Sequence, residues 1–228
     1  DRPGPGTRRV TRRAILWRHG RTAWNLAQRF QGHSDVPLDE VGQEQAARAV
    51  PALAALDPQI IVSSDLKRAT QTAAALAAVA GVEVHVDRDL REAHAGLWQG
   101  MTHAEITAQH GDALAKWRVD PEVRPGGHGE TRAEVADRVV RCLTATLATV
   151  PDGATAVFVT HGGAARAAVG QLLGLPPADW QRMTVLENCA WAELDHAEKG
   201  GWRLGRYNQA VQLSGAAPTD PAVRESIV

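Results

Sequence analysis

Several features that mark particular protein classes are scarce in this chain. Only 2 of its 228 residues are cysteines, and we interpret Cys142 and Cys189, in a predicted helix and a predicted strand, as buried free thiols. Charge of one sign is not in excess, because 25 basic and 26 acidic residues give a formal net charge of −1. A nucleic-acid-binding surface normally shows a basic excess, so the balance argues against nucleic-acid binding. No apolar run approaches the roughly 18 residues that a membrane-spanning helix needs.

The two ends of the sequence differ in composition from its middle. Residues 1–13 contain Pro3-Gly4-Pro5-Gly6 and several arginines but no apolar core of a signal peptide. We therefore predict a flexible tail at 1–13, a second tail at 214–228, and a cytoplasmic protein. Residues 14–213 are long enough to bury a substantial core as one domain, in which 91–130 form a capping excursion.

Hydrophobic patterning predicts strands that alternate with helices. This order predicts an α/β fold, a three-layer α/β/α sandwich whose mostly parallel sheet has helices on both faces. Ser64 is the expected N-cap of one helix and Gly81 its stop, while Pro51 predicts a kink or break in another. The predicted strands are 15–17, 60–62, 82–86, 156–160, 188–194 and 202–207, and the predicted helices are 39–56, 65–80, 104–117, 131–150 and 162–173.

Three predicted strands end in residues that suit anion chemistry. One leads into Arg18 and His19, a second ends at His161, and a third precedes Ser64 and the helix that carries Arg68. Ligands of open α/β sheets bind beyond the carboxyl ends of the strands, so we expect these side chains to converge on one anion. A lone histidine is usually a packed or surface residue. Two strand-histidine-glycine units in one chain favour a shared site.

Six blocks of sequence, in order, resemble the histidine phosphatase superfamily, also called the phosphoglycerate mutase-like family. A single Arg-His-Gly would be a weak signal, whereas six ordered blocks that extend from residue 15 to about residue 208 are a strong one. The resemblance implies that family's α/β fold and a phosphoryl-transfer activity. The blocks are residues 16–25, 30–38, 62–73, 90–100, 129–131 and 159–163.

The resemblance implies a role for each residue of the predicted site. His19 is the nucleophile and becomes a phosphohistidine; its second ring nitrogen should donate to a backbone carbonyl. Arg18 and Arg68 clamp the phosphate, since guanidinium groups match phosphate oxygens and stay charged. They also favour the neutral form of His19. His161 is a third donor to the transferring group. The remaining substrate-binding residues are Asn25, Gln31, Gly32 and Gly162, which begins a helix whose dipole we expect to face the phosphate.

Glu92 is the candidate general acid. It gives a proton to the departing alkoxide and then acts as a base toward water, and a nearby phosphate dianion favours the protonated carboxyl that the first step needs. Taken alone, a glutamate such as Glu92 is by default an ordinary surface carboxylate. Its place before Gly96, Trp98 and Gly100 follows the family pattern and favours the catalytic role. We interpret Glu130 as structural or as a support of the pocket.

Other signals are weaker. Arginines and histidines supply the positive charge, so we expect no metal and no cofactor, and no phosphate-binding loop or dinucleotide motif occurs. His33, His94 and His128 are candidates for the pocket edge, although surface positions are the commoner case. Trp24 and Trp98 either pack in the core or face a substrate, and Trp17 and the 119–127 loop are candidates for shaping the pocket.

The length between the blocks distinguishes branches of the family. The stretch from Gly100 to Gly129 is short, which resembles the phosphatases rather than the mutases with their longer insertion. Residues 61–66, 90–106 and 188–191 resemble the actinobacterial glucosyl-3-phosphoglycerate phosphatases, which implies a small phosphorylated substrate of that kind. The alternatives are a histidine phosphatase of broad specificity for sugar or nucleotide phosphates, a phosphoglycerate mutase, and a non-catalytic phosphoprotein-binding module. The family also makes a homodimer plausible.

Overall fold

A computed structural model describes residues 10–197 and 200–211, which fold around a six-stranded sheet. No helix within those residues is long and apolar enough to span a membrane. Short 3-10 turns at Gly96–Trp98 and Pro125–Gly127 interrupt the loops. The strands are β1 (Val10–Arg18), β2 (Pro58–Ser63), β3 (Val84–Val86), β4 (Thr155–Thr160), β5 (Trp191–Ala197) and β6 (Gly201–Gln209), and the helices are α1 (Ala23–Leu26), α2 (Glu40–Ala54), α3 (Lys67–Ala80), α4 (His103–Val119), α5 (Arg132–Thr149) and α6 (Gly162–Leu172).

The strand order β3-β2-β4-β1-β5-β6 confirms a mostly parallel sheet. Strands β3, β2, β4 and β1 run parallel to one another, whereas β5 is antiparallel to both β1 and β6. Because β2, β4 and β1 are adjacent, their carboxyl ends at Ser63, Thr160 and Arg18 lie side by side. The sheet therefore brings the three predicted strand ends to one edge.

The central strand β1 is buried on both faces, as its apolar sequence predicts. Ala14 and Leu16 join a core cluster with residues of α5 and α6. Ile15 and Trp17 point to the opposite face and join a cluster with residues of α2 and α3. Helices therefore cover both faces, which confirms the three-layer α/β/α sandwich.

The excursion at 91–130 has a small core of its own. The indole of Trp98 packs against Trp117 and Phe30, with ring centroids 5.7 and 5.8 Å apart. A capping box of Thr102 and Glu105 opens α4, which confirms the predicted short helix. These contacts fix the excursion beside the strand ends, where Trp117 lines the same cavity as His19.

Two predicted boundaries are wrong. Strand β1 begins at Val10, so the end of the predicted N-terminal tail belongs to the sheet, where Arg13 Nε donates to Asp195 Oδ1 at 2.9 Å. Residues 1–9 and 212–228 lie outside the described residues, and the tails there stay predictions. Cys189 lies in a turn with φ of +58° rather than in a strand, since β5 begins at Trp191.

Helix ends also differ from the predictions. Helix α3 begins at Lys67 with Leu66 at its N-cap, so Ser64 is not the cap. Helix α2 continues through Pro51 and ends at Ala54, so the proline does not break it there. Cys142 is buried in α5, which confirms both its helix and its burial, and Cys189 is buried too. Burial raises the pKa of the Cys189 thiol to about 12, so this thiol stays protonated at neutral pH.

A glycine-to-alanine pair tests the packing of α6. A Cβ added at Gly170 would lie 2.3 Å from Cδ1 of Trp180, a ring that is 3% exposed and donates to the Leu175 carbonyl at 2.8 Å. We expect Gly170→Ala to lower the free energy of unfolding by roughly 1–3 kcal/mol, because the ring has no room to move. Gly111→Ala in α4, with no atom within 4 Å of the added Cβ, should instead stabilise by up to about 1 kcal/mol.

Urea denaturation followed by circular dichroism measures both effects. Opposite signs for the two variants are the expected result. A stabilised Gly170→Ala protein would show that Trp180 does not pack on α6 as described.

Candidate active site

The edge formed by the ends of β1, β4 and β2 brings the two predicted histidines together. The backbone N–H of His19 donates to the Thr160 carbonyl at the end of β4 (3.0 Å). The ring centroids of His19 and His161 are 5.0 Å apart in an edge-to-face arrangement. The adjacent parallel strands thus account for the convergence expected from sequence.

One nitrogen of the His19 ring is held by the backbone. Nδ1 lies 2.7 Å from the Gly20 carbonyl, which accepts only, so Nδ1 carries the proton and donates it. The Nε2 lone pair is then available to an incoming atom. This contact confirms the backbone hydrogen bond predicted for the second ring nitrogen.

The surroundings of His19 keep its imidazole neutral. Burial lowers its pKa well below 6.5, and the positive charges of Arg68 and Arg18 lower it further, against a smaller opposing effect of the Gly20 carbonyl. A neutral ring at neutral pH is what a nitrogen nucleophile requires.

Arg18 is buried beside His19 with part of its guanidinium free. Its Nη1 donates to the Leu186 carbonyl at 2.5 Å, while Nε has no hydrogen-bond partner among the described residues. A Cβ at Gly162 would lie 3.4 Å from Arg18 Cζ and 2.3 Å from Val185 Cγ1. Gly162 therefore makes room for Val185 beside Arg18, and its neighbour Gly163 lines the cavity instead.

Arg68 is fully buried and links three segments. Its Nη1 and Nη2 donate to the carbonyls of Ser34 and Gly32 at 2.7 and 2.8 Å, and its Nε donates to Nδ1 of His161 at 3.2 Å. Burial lowers the pKa of Arg68 to about 10, against the opposing charge of Glu92. The group thus stays charged at neutral pH in a site that water hardly reaches.

Both ring nitrogens of His161 are occupied. Because Nδ1 accepts from Arg68, Nε2 carries the proton and faces Ser64 Oγ at 2.9 Å. Donation to a phosphate, as predicted for His161, requires this hydrogen to leave Ser64. The hydroxyl of Ser64, predicted to cap a helix, is therefore a hydrogen-bond partner of His161. The position of Ser64 at the end of a strand was the only signal in the sequence for this contact.

Glu92 is held at the start of α6. Its carboxylate accepts backbone N–H groups of Ala93 at 2.8 Å and of Gly163 and Ala164 at 3.0 Å, and the residue is 8% exposed. Two N–H groups at this helix end thus face Glu92, and the orientation of the α6 dipole toward a phosphate stays a prediction.

Glu130 supports the Glu92 loop from behind. Its Oε1 accepts from Arg138 Nε at 2.8 Å and its Oε2 from the His94 N–H at 2.8 Å, while Arg138 Nη2 donates to the Glu92 carbonyl at 2.9 Å. Burial raises the pKa of Glu130, but the hydrogen bond and charge of Arg138 prevail and hold it below its usual range. These contacts agree with the supporting role predicted for Glu130.

The three histidines predicted at the pocket edge lie near the loop that carries Glu92. His33 Nε2 is 2.9 Å from the Glu92 carbonyl, and its ring contacts His94, which in turn contacts His128. His33 and His94 are partly buried and His128 is exposed. Within residues 10–197 and 200–211, no group of three or more histidine, cysteine or acidic side chains is arranged to hold a metal ion.

A cavity of about 950 Å³, counting space open to solvent, extends from His19 along Glu92 to the excursion. Gly32 lines it, as do Asn25 and Gln31, whose side-chain oxygens accept from Thr22 so that their amide nitrogens remain as donors. Of the three tryptophans considered from sequence, Trp24 lines the cavity, whereas Trp17 and Trp98 are buried in core clusters.

A titration tests the electrostatic account of His19. We expect its imidazole to stay neutral as the pH falls through 6.5 and to protonate only at lower pH, as followed by ¹⁵N NMR of the ring. Arg68→Gln removes one neighbouring positive charge and should raise the pKa of His19 toward 6.5. Arg88→Gln, at an arginine whose side chain is 80% exposed, is the matched control and should leave the titration unchanged. A wild-type His19 that titrates at 6.5 contradicts the account.

Known proteins are similar to this chain in both sequence and fold. The family model "Histidine phosphatase superfamily (branch 1)" matches residues 14–210. A glucosyl-3-phosphoglycerate phosphatase of Mycolicibacterium vanbaalenii is 39% identical over 89% of this chain and 97% of its own length. A probable phosphoglycerate mutase of Photorhabdus laumondii is 34% identical over 82% and 88%.

The structure of a mycobacterial glucosyl-3-phosphoglycerate phosphatase in complex with VO3 superposes with a TM-score of 0.83. It is 39% identical to this chain, and the match covers 87% of this chain and 100% of the solved one. A family model that matches nearly the whole described chain, together with this likeness in sequence and fold, establishes the family. The chain belongs to the histidine phosphatase superfamily.

Proposed function

We propose that this protein hydrolyses phosphomonoesters through a phosphohistidine on His19 and that its substrate is glucosyl-3-phosphoglycerate. The observation that carries the chemistry is a buried, neutral imidazole with a free Nε2 beside two buried arginines. The substrate assignment draws on the relatives of that name, which match nearly the full length of both chains. Residues 61–66, 90–106 and 188–191 carry the same resemblance in the sequence.

The first step transfers the phosphoryl group to His19. The phosphate dianion enters between Arg18 and Arg68, whose guanidinium groups neutralise its oxygens, and Asn25 and Gln31 donate from the side. Nε2 of His19 attacks phosphorus as the bond to the alcohol oxygen breaks. The Gly20 carbonyl, which accepts from Nδ1, stabilises the positive charge that develops on the ring.

Glu92 donates a proton in the first step and accepts one in the second. In the first step the protonated carboxyl of Glu92 passes its proton to the departing alkoxide. The resulting carboxylate takes a proton from the water that attacks the phosphohistidine. The phosphorus–nitrogen bond breaks, inorganic phosphate leaves and His19 is neutral again.

His161 stabilises the transferring group in this scheme. Its Nε2–H turns from Ser64 Oγ, 2.9 Å away, to a phosphoryl oxygen while Arg68 keeps Nδ1 as an acceptor. The arginines and histidines carry the positive charge of this mechanism, so the proposal includes no metal or cofactor.

A phosphoglycerate mutase is the second candidate, because a relative described as a probable phosphoglycerate mutase matches 82% of this chain. A mutase returns the phosphoryl group to another hydroxyl and shields its intermediate from water. Release of inorganic phosphate in every turnover, without isomerised product, distinguishes the phosphatase.

A substrate panel tests the proposed function. We expect phosphate release in excess EDTA with the highest kcat/KM for glucosyl-3-phosphoglycerate among 3-phosphoglycerate, 2,3-bisphosphoglycerate, sugar phosphates and nucleotides. His19→Ala should abolish release, whereas His85→Ala, at an exposed position of β3, should not. Uniform weak activity on the panel would contradict the assignment of glucosyl-3-phosphoglycerate as the substrate. Loss of activity on chelation, with rescue by added metal, would contradict the metal-free mechanism.

Leaving-group dependence tests the role of Glu92. Glu92→Gln should lower kcat/KM on an alkyl phosphate by roughly 10²–10⁴-fold, the usual contribution of a general acid. On p-nitrophenyl phosphate, whose leaving group needs little protonation, the loss should be much smaller. Glu83→Gln, at an exposed glutamate, serves as the control. An equal loss on both substrates would assign Glu92 to positioning instead of proton transfer.

A further inference from the structure

Arg132 is a buried cation whose guanidinium is only partly satisfied. It is the first residue of α5, 9% exposed, and lines the cavity of the candidate site. Its Nη2 donates to the carbonyls of Trp117 and Arg118 at 2.6 and 3.2 Å. Its Nε and Nη1 find no acceptor in the part of the chain that the structure describes. Buried N–H groups without acceptors are costly, so this arrangement favours a ligand that supplies oxygen atoms.

Arg166 adds a second cation to the same wall. It follows Gly163 by three residues on α6, and both line the cavity, as residues at this helical spacing share a face. No hydrogen bond or ion pair joins its side chain to another described residue. Burial lowers the pKa of Arg166, against the opposing effects of Tyr207 and Glu92.

The two cations repel each other. Burial lowers the pKa of Arg132 to about 10, and the positive charge of Arg166 contributes to that shift. Both groups remain charged at neutral pH, so the wall holds two like charges. An anion placed between them would remove this repulsion and supply the missing acceptors.

Glu92 is in electrostatic range of this pair and of the phosphate-binding pair. Its charge raises the pKa values of Arg18 and Arg68 and also that of Arg166. The cavity therefore holds two sets of arginines, Arg18 with Arg68 and Arg132 with Arg166, with the candidate acid within reach of both. A ligand with two anionic groups fits this distribution of charge better than a simple phosphomonoester.

We propose that Arg132 and Arg166 bind the carboxylate of the substrate while Arg18 and Arg68 hold its phosphate. The proposal rests on the proposed function, whose substrate carries a carboxylate on the carbon chain that bears the phosphate. Guanidinium groups pair with a carboxylate through two parallel hydrogen bonds, which the free Nε and Nη1 of Arg132 are suited to make. The subsite selects phosphate esters that carry a second, carboxylate group.

Two phosphate esters that differ at one carbon test the subsite. In 3-phosphoglycerate a carboxylate stands where glycerol 3-phosphate has a hydroxymethyl group. We expect the wild-type ratio of their kcat/KM values to favour 3-phosphoglycerate, and Arg166→Gln to lower that ratio at least tenfold through a higher KM for 3-phosphoglycerate. Arg166→Lys, which keeps the charge, should restore part of the ratio.

Arg141→Gln is the matched control, because this α5 arginine is exposed and pairs with Asp89. It should leave the ratio unchanged. Arg132→Gln should lower the ratio like Arg166→Gln, with circular dichroism as a check because Arg132 also holds the end of α4. An unchanged ratio in Arg166→Gln overturns the subsite.

Binding without turnover separates this proposal from the proposed function. In a His19→Ala protein, calorimetry should show tighter binding of 3-phosphoglycerate than of glycerol 3-phosphate, and adding Arg166→Gln should remove the difference. Wild-type protein that turns over neither ester nor glucosyl-3-phosphoglycerate, while this difference in binding persists, would reject the phosphatase and keep the subsite. Equal binding of both esters to the His19→Ala protein would reject the subsite whatever the turnover.

Discussion

The structure depends on positive charge buried at one edge of its sheet. Arg18 and Arg68 keep their guanidinium groups in a site where charge is expensive, and the carboxylate of Glu92 opposes the loss of charge of both. The same charges, together with burial, keep His19 neutral. A pocket with more buried cations than carboxylates favours an anion, and in the proposed function the neutral imidazole at its base attacks that anion.

Hydrogen bonds between segments that are distant in the sequence hold the residues of this site in place. Helix α6 donates two N–H groups to Glu92 from residues more than 70 positions along the chain, and Arg138 fixes the backbone of the same loop. Arg68 ties α3 to the loop around Gly32 and to His161. Different contacts thus hold Glu92 and the cations, so Glu92 lines the cavity without pairing directly with Arg18 or Arg68.

Local patterns predict the elements of this fold well, because apolar runs and capping residues act over a few positions. The strand ends at His19 and His161 were predictable for this reason. The hydrogen bonds from α6 to Glu92 and the contact of Ser64 with His161 were not predictable. The residues that they join are 71 and 97 positions apart in the sequence. Ser64 has the sequence features of a helix cap, but its hydroxyl is hydrogen-bonded to His161, which follows the neighbouring strand β4. Arg132 and Arg166 likewise line one cavity only because α5 and α6 pack together.

The most direct test of the central claim is to trap the phosphorylated protein by rapid acid-free quench during turnover and to map the phosphate by mass spectrometry. We expect a phosphoramidate on His19 that forms and decays at rates compatible with turnover. Phosphate on Ser64 or His161, or full turnover with no phosphorylated protein at any time, would contradict it.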